Sequence, residues 1–319
     1  MKKLFAVVLS VVLVLSLLTA ASAETKTIGI VQMADNGAFT DMREGFIAEI
    51  RALGYTEDDI VFDYRNAQGQ ADVLDTICTT MIENDVDLVV TIATPPTQQM
   101  VNKESGIPVF FISVSNPVGA GVITEMEHPD KLATGTSNAI PVSAMFELSD
   151  QLTPGCTTYG LIYCTSEVNS VSTVSSAKEY MDANGIAYEE AVVTNSSEVQ
   201  QAAESLVEKG VDAIFVPNDS VVQTAMATLA EIAKDAGIPV YGSSAVMVNS
   251  GAFATISISD TEIGAITADM VDEYLKGTAV EDIPAIVVDQ FTMVINSTTA
   301  AAIGVELSED VLAQAVVVE

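Results

Sequence analysis

The chain has 319 residues, 49% of them apolar and 18% charged, which excludes intrinsic disorder and allows one large domain or two medium ones. Lys and Arg number 12 against 44 Asp and Glu, a formal net charge of −32 that argues against a nucleic-acid partner or an anionic membrane surface, both of which need basic contacts. One histidine, His128 in a turn-like Glu127-His128-Pro129 run read as solvated, and three cysteines leave little for metal or acid–base chemistry.

Met1-Lys2-Lys3, the apolar run Leu4 to Leu18 and then Ala21-Ser22-Ala23 follow the pattern of a secretory signal peptide, with cleavage expected after Ala23. The apolar run is short for a transmembrane helix. Leu18-Thr19-Ala20 is followed by Ala21, where a lipoprotein would carry its cysteine, so no lipid anchor is expected and the mature chain should be extracytoplasmic and free. Export permits disulfides, but Cys156 and Cys164 flank a predicted strand that would separate them by about 26 Å. With no C-x-x-C present, Cys78, Cys156 and Cys164 are all read as small buried hydrophobes.

Beyond the leader, β-rich runs alternate with runs of period 3.6. Strands are predicted at 28–33, 60–65, 88–93, 109–114, 158–163, 189–194, 213–217, 240–243, 254–259 and 292–296. Helices are predicted at 40–53, 72–84, 96–104, 142–152, 171–184, 198–209, 221–236 and 262–276. In 40–53 the stripe Met42, Phe46, Ile50, Leu53 ends at Gly54, a favoured residue just past a helix. Such alternation implies α/β architecture with parallel sheets covered on both faces. The halves also match. Gly29-Ile30 and Gly160-Leu161, Gly54 and Gly185, and Gly106-Ile107-Pro108-Val109 and Gly237-Ile238-Pro239-Val240 are each 131 residues apart. The expected fold is two similar Rossmann-like lobes, 24–140 with 260–288 and 141–259 with 289–319. Three chain crossings are expected near 138–142, 257–262 and 288–291, with a ligand cleft where the strand-end loops of the lobes face each other.

Several segments carry a family resemblance over essentially the whole mature chain. They are Arg43-Glu44-Gly45-Phe46 with Leu53-Gly54-Tyr55, Asn66-Ala67-Gln68-Gly69, Ile92-Ala93-Thr94-Pro95 and Asn116-Pro117-Val118-Gly119-Ala120-Gly121 in the first half. In the second half they are Ser166-Glu167 with Asn169-Ser170, Thr194 to Ala202, and Val216-Pro217 with Asp219. The chain resembles the solute-binding proteins of one bacterial ABC transporter family with the type I periplasmic-binding fold. The resemblance implies capture of an amino acid, notably an aromatic one, by a monomer that closes about a hinge and is read by an ABC permease, without cofactor, metal or catalysis. It departs from the family at Asn36-Gly37, often His-Pro, and at Val168, often proline.

The duplication also points to site residues. Counted from Asp87 and Asp212, Thr94 and Asp219 are equivalent, 125 apart, each just past its lobe's third strand. A hydroxyl facing a carboxylate suits a zwitterion, with Thr94 and N–H groups at the start of helix 96–104 holding a carboxylate and Asp219 accepting from an ammonium. Both residues are also favoured helix caps. Asp219→Asn is accordingly expected to weaken binding and leave the ligand-free melting temperature nearly unchanged. Ser113, Ser115 and Ser244 stand at strand ends; Phe39 and Tyr163 are the cleft aromatics; Asn36, Asn169, Ser170 and Asp260 are further polar candidates. No G-x-S-x-G elbow, Walker loop or H-E-x-x-H occurs, which disfavours the alternative of a secreted enzyme on the same scaffold. A sensor docking a membrane receptor would share the fold and the cleft.

Overall fold

The computed structural model describes residues 25–319; the segment read as a signal peptide lies outside them. The first half runs β1 (Lys26–Gln32), α1 (Gly37–Ala52), β2 (Ile60–Asn66), α2 (Ala71–Glu83), β3 (Leu88–Ile92), α3 (Thr94–Val101), β4 (Val109–Ile112) and β5 (Ala133–Ser137). The second runs α4 (Val142–Leu152), β6 (Thr158–Cys164), α5 (Val168–Asn184), β7 (Ala187–Val193), α6 (Val199–Glu208), β8 (Ala213–Phe215), α7 (Ser220–Thr224), α8 (Met226–Asp235), β9 (Val240–Tyr241), α9 (Ala245–Asn249) and β10 (Ala254–Ser257). The chain then returns through α10 (Asp260–Leu275), β11 (Ile286–Val287), β12 (Thr292–Asn296), α11 (Ser297–Ala302), α12 (Glu309–Gln314) and β13 (Ala315–Val318).

The strands form two sheets, ordered β11-β5-β4-β3-β1-β2 and β13-β12-β10-β9-β8-β6-β7. The cores of both sheets share one order, β2-β1-β3-β4-β5 and β7-β6-β8-β9-β10, the doubly wound pattern that reverses between the first and third strands. All pairings among the described residues are parallel except β10 with β12, which is antiparallel. The chain passes between the sheets at 138–141, 258–259 and 288–291.

Apolar residues on β1, β3 and β4 (Ile28, Ile30, Leu88, Val90, Phe110) meet Phe46 and Ile50 of α1 and Ile263 and Val271 of α10 in one buried cluster. Helices α1 and α10 cross in backbone contact. A Cβ on Gly264 would sit 2.1 Å from the Met42 carbonyl oxygen, and one on Gly45 would sit 2.2 Å from that of Thr261. No side-chain rotation relieves either collision, so the helices must separate. Gly264→Ala is expected to cost about 3 kcal/mol, the upper part of the usual overpacking range, read as a fall in the melting temperature of the ligand-free protein; an unchanged melting curve would show that the helices slide apart freely.

β5 carries no apolar run and was not predicted. It is an Ala-Thr-Gly-Thr-Ser strand, buried throughout. Its small residues fit a crowded slot: a Cβ on Gly135 would lie 2.0 Å from the Phe111 carbonyl oxygen, Thr134 donates to the Ile283 carbonyl at 2.8 Å, and Thr136 shares a 2.9 Å hydroxyl bond with Thr267 of α10. The short β11, β13, α9, α11 and α12 were likewise not predicted. The single helix expected over 221–236 is two, broken at Ala225 with φ −107° and ψ 17°. Cys78 and Cys164 are buried, whereas Cys156 is only partly so; no disulfide links them. His128 is exposed.

Candidate ligand-binding site

The reversal of strand order leaves a crevice at the carboxyl ends of β1 and β3 in one sheet and of β6 and β8 in the other, where the following loops diverge. These crevices face one another and enclose a cavity lined from both sides. Ser113 and Ser115 come from the first sheet's loops, with Phe39 and Thr94 from the first turns of α1 and α3. Asp219 and Ser244 come from the second's loops, with Asn169 from the first turn of α5; Asp260 is the first residue of α10. Thr94 and Asp219, matched by the internal repeat, thus share one cavity.

Asp219 is 2% exposed and caps α7. Its Oδ1 accepts from the N–H groups of Val221 (3.1 Å) and Val222 (2.9 Å), and its Oδ2 from that of Cys164 at 2.6 Å. The cap and the cavity position are held by one side chain. Thr94 is the first residue of α3, and the cap position belongs to Ala93, so Thr94 is not a cap. Its hydroxyl makes no hydrogen bond among the described residues. The carboxylate cradle expected from the start of this helix is thinner than anticipated, because the helix begins two residues early and Pro95 and Pro96 in its first turn carry no N–H. Ala93 and Ser113 both have left-handed backbone, φ 75° and 64°. Such strain in non-glycine residues collects where a site dictates the backbone path.

Glu167 is the residue the site reading missed. The offset of 131 pairs it with Asn36, and the two occupy equivalent positions, each immediately before the first residue of its helix, α5 and α1. Asn36 accepts from the Phe39 N–H at 2.9 Å, while its amide nitrogen is buried without a partner. Asn36 does not line the cavity. Glu167 does, is 5% exposed, and leaves its own helix uncapped. Its Oε2 accepts from the Ser220 N–H at 3.2 Å and its Oε1 from the Ser220 hydroxyl. Burial, with the charge of Asp219 added, pushes the Glu167 carboxyl up to about 7. Burial raises Asp219 as well. Asp260 is pushed up to about 7, by burial first and then by Asp41. The cavity lining thus holds three carboxyl groups and, among the described residues, no Lys, Arg or His.

The remaining candidates divide. Ser115 donates to Asn138 Oδ1 at 2.9 Å, and Ser244 caps α9 by accepting from the Met247 N–H at 3.3 Å. Asn169 donates to the Asn218 carbonyl at 2.6 Å, which leaves its Oδ1 buried and unpaired; Gln223 has a buried, unpaired Nε2. Both residues line the cavity. Ser170 is fully buried behind it, donating to the same Asn218 carbonyl at 3.1 Å. Tyr163 is not a cavity residue. It is still within β6, and its hydroxyl donates to Glu190 of β7 at 2.8 Å, next to Lys178, which binds the same carboxylate at 2.8 Å. Phe39, Met42, Ile140, Ile258 and Ile263 supply the apolar wall.

Two contacts join the halves: Val246 of α9 packs against the first sheet's core cluster, and the Asn116 amide donates to the Ser172 hydroxyl at 3.2 Å. No helix among the described residues is long and apolar enough to cross a membrane.

Comparison with known proteins gives a consistent answer. The chain is 33% identical over 291 residues to a tyrosine-binding protein of Clostridioides difficile, covering 91% of this chain and 84% of the relative. It is similar to an ABC domain from Streptococcus pneumonia solved in complex with L-Trp, with 29% identity, a TM-score of 0.88, and coverage of 92% of this chain and 100% of that one. It is also similar to the ligand-free, open structure of a substrate-binding protein with adhesive properties from Clostridium difficile, with 32% identity, a TM-score of 0.72, and coverage of 92% and 99%. The common architecture is the two-lobed type I periplasmic-binding fold. The family model for ABC transporter substrate-binding proteins matches residues 27–319, and the chain belongs to that family.

Proposed function

We propose that this protein captures an aromatic amino acid between two lobes, 24–140 with 260–288 and 141–259 with 289–319, and delivers it as a monomer to an ABC permease outside the cytoplasm. The observation that carries the reading is the cavity's buried Glu167–Asp219 pair, which has no cation opposite it. A buried carboxylate without a counter-charge is costly, and an α-ammonium supplies that charge. Glu167 is the better acceptor of the two. Its oxygens take one protein donor each, whereas those of Asp219 take three between them. The unpaired Asn169 Oδ1 adds a further acceptor. The free Thr94 hydroxyl, the Ser113 hydroxyl and the unpaired Gln223 amide nitrogen suit the α-carboxylate. Phe39, Met42, Ile140, Ile258 and Ile263 suit a ring.

Hinge closure is supported by the two solved relatives. At nearly equal identity, this structure overlays the L-Trp complex at a TM-score of 0.88 and the ligand-free open form at 0.72. Titration calorimetry with L-tyrosine and L-tryptophan beside their des-amino analogues, which keep ring and carboxylate, tests the reading. The amino acids should bind at least tenfold more tightly, about 1.4 kcal/mol or more for the charged hydrogen bond. Equal affinity of the des-amino acids, or no binding of either class, would overturn it.

A further inference from the structure

We infer that Asp260 selects among the amino acids that enter the cleft, its carboxyl oxygen accepting a hydrogen bond from an O–H or N–H at the tip of an aromatic side chain. The selection presupposes the amino-acid ligand proposed above and names the class of side chain it must carry.

Asp260 stands apart from the other cavity acids. Glu167 and Asp219 belong to the second lobe's loops and act on each other; the charge acting on Asp260 is that of Asp41 in α1. Asp260 starts α10, which packs on the first sheet, whereas Glu167 and Asp219 precede α5 and α7 on the second, so one α-ammonium does not account for all three acids. The backbone contacts of Gly45 with Thr261 and of Gly264 with Met42 set the first two turns of α10 against the Met42–Phe46 stretch of α1, one turn on from Phe39. There Phe39 and Met42 form the cavity wall, and Ile258 and Ile263 flank Asp260 in sequence. The carboxyl group thus stands at the apolar end, where the ring is expected.

The Asp260 carboxyl also has no partner. Glu167 and Asp219 are held by N–H and O–H donors, but Asp260 makes no hydrogen bond or ion pair among the described residues. Its helix does not need it, because Ser259 caps α10 by accepting from the Glu262 N–H at 3.2 Å. Asp260 is only part-buried and opens onto the cavity beside Phe39, Met42 and Ile263, so a ring that fills this end displaces its water and must offer a donor in exchange. A phenol O–H or indole N–H meets both requirements of this end of the cavity, an apolar body and a polar tip. A benzyl side chain meets only the first. A site built around such an acceptor rejects the analogue lacking the donor more strongly than an apolar pocket rejects one missing methylene.

The test is calorimetric titration of the full mature chain with two pairs, L-tyrosine against L-phenylalanine and L-tryptophan against 1-methyl-L-tryptophan. Wild type should favour the donor-bearing member of each pair by about tenfold or more. In Asp260→Ala that preference should shrink to within about twofold, with L-phenylalanine affinity nearly unchanged. Asp260→Asn, which keeps an amide oxygen, should retain part of it. Melting curves of the ligand-free variants should match or exceed wild type, because no protein contact is lost. Equal binding within each pair by wild type overturns this inference alone, as does a uniform loss for all ligands in both variants. Preferential, Asp260-dependent binding of lysine or arginine would overturn it in favour of a cationic side chain. If no amino acid binds wild type, the amino-acid reading falls and this inference with it.

Discussion

Asp219→Asn is expected to lower the melting temperature of the ligand-free protein by several degrees, where the sequence alone predicts almost no change, and to weaken ligand binding as well. The Asp219 carboxylate takes three backbone N–H groups, from Cys164 on one oxygen and from Val221 and Val222 on the other. An asparagine amide has one oxygen, so whichever way it turns, its NH2 faces at least one of those N–H groups. A buried donor left unpaired costs about 1–3 kcal/mol. On a lobe of this size that is a fall of roughly 2–4 °C per kcal/mol. Glu167→Gln makes the contrasting case. Its two oxygens accept separately from the Ser220 N–H and the Ser220 hydroxyl. A glutamine can accept the first with its oxygen and donate to the second with its nitrogen. Stability of the ligand-free protein should hold or rise, since a buried charge is gone, while binding of an ammonium ligand weakens about ten- to hundredfold, the scale of a charged hydrogen bond. Melting curves beside calorimetry separate the two acids. A melting temperature for Asp219→Asn equal to wild type would refute the structural role of its oxygens.

Ligand affinity should rise with pH between about 5.5 and 8, while stability of the ligand-free protein falls over the same interval. The folded-state pKa of Glu167 is raised from 4.5 to about 7, and that of Asp260 from 3.8 to about 7. For an acid shifted upward, the folded form holds its proton more tightly than the unfolded one. The stability this contributes is fully present below the unfolded pKa and is lost as pH rises through about 7. The acids held below their ordinary values, among them Asp59, Asp75 and Asp212, act in the opposite sense, but their contribution fades only as pH falls through the acid range below this interval. An α-ammonium stabilises the ionised form of Glu167, so binding expels its proton and tightens by up to about tenfold per pH unit below the ligand-free pKa. Calorimetry in buffers of different ionisation enthalpy should detect that proton release. Glu167→Gln should flatten the profile, and a dissociation constant independent of pH across this range in wild type would refute the coupling.

The repeat was legible because its landmarks are glycines and prolines at turns, which tolerate few substitutes. Gly54 and Gly185 both have positive φ, as do Gly106 and Gly237. The same arithmetic brought Thr94 and Asp219 into one cavity and, carried through, pairs Asn36 with Glu167. Glu167 escaped notice because one acid among 44 gives no signal of its own. Tyr163 was misread because β6 is covered on both faces, so its run of buried residues has no alternation to show which side chain turns toward Glu190. β5 escaped because its burial is enforced by close neighbours, not by apolar content.

The seating of α10 has a consequence for how the molecule is assembled. Residues 26–137 supply five of the six strands of the first sheet, yet the face carrying Ile28, Val90 and Phe110 is covered only in part, by α1, until residues 260–275 arrive to complete it. Those contacts close loops of well over a hundred residues, a separation that slows folding because chain entropy is lost before packing repays it. The amino-terminal lobe must therefore finish after most of the second lobe's sequence has been made. A chain truncated after Ser257 should expose that apolar face and bind a dye such as ANS.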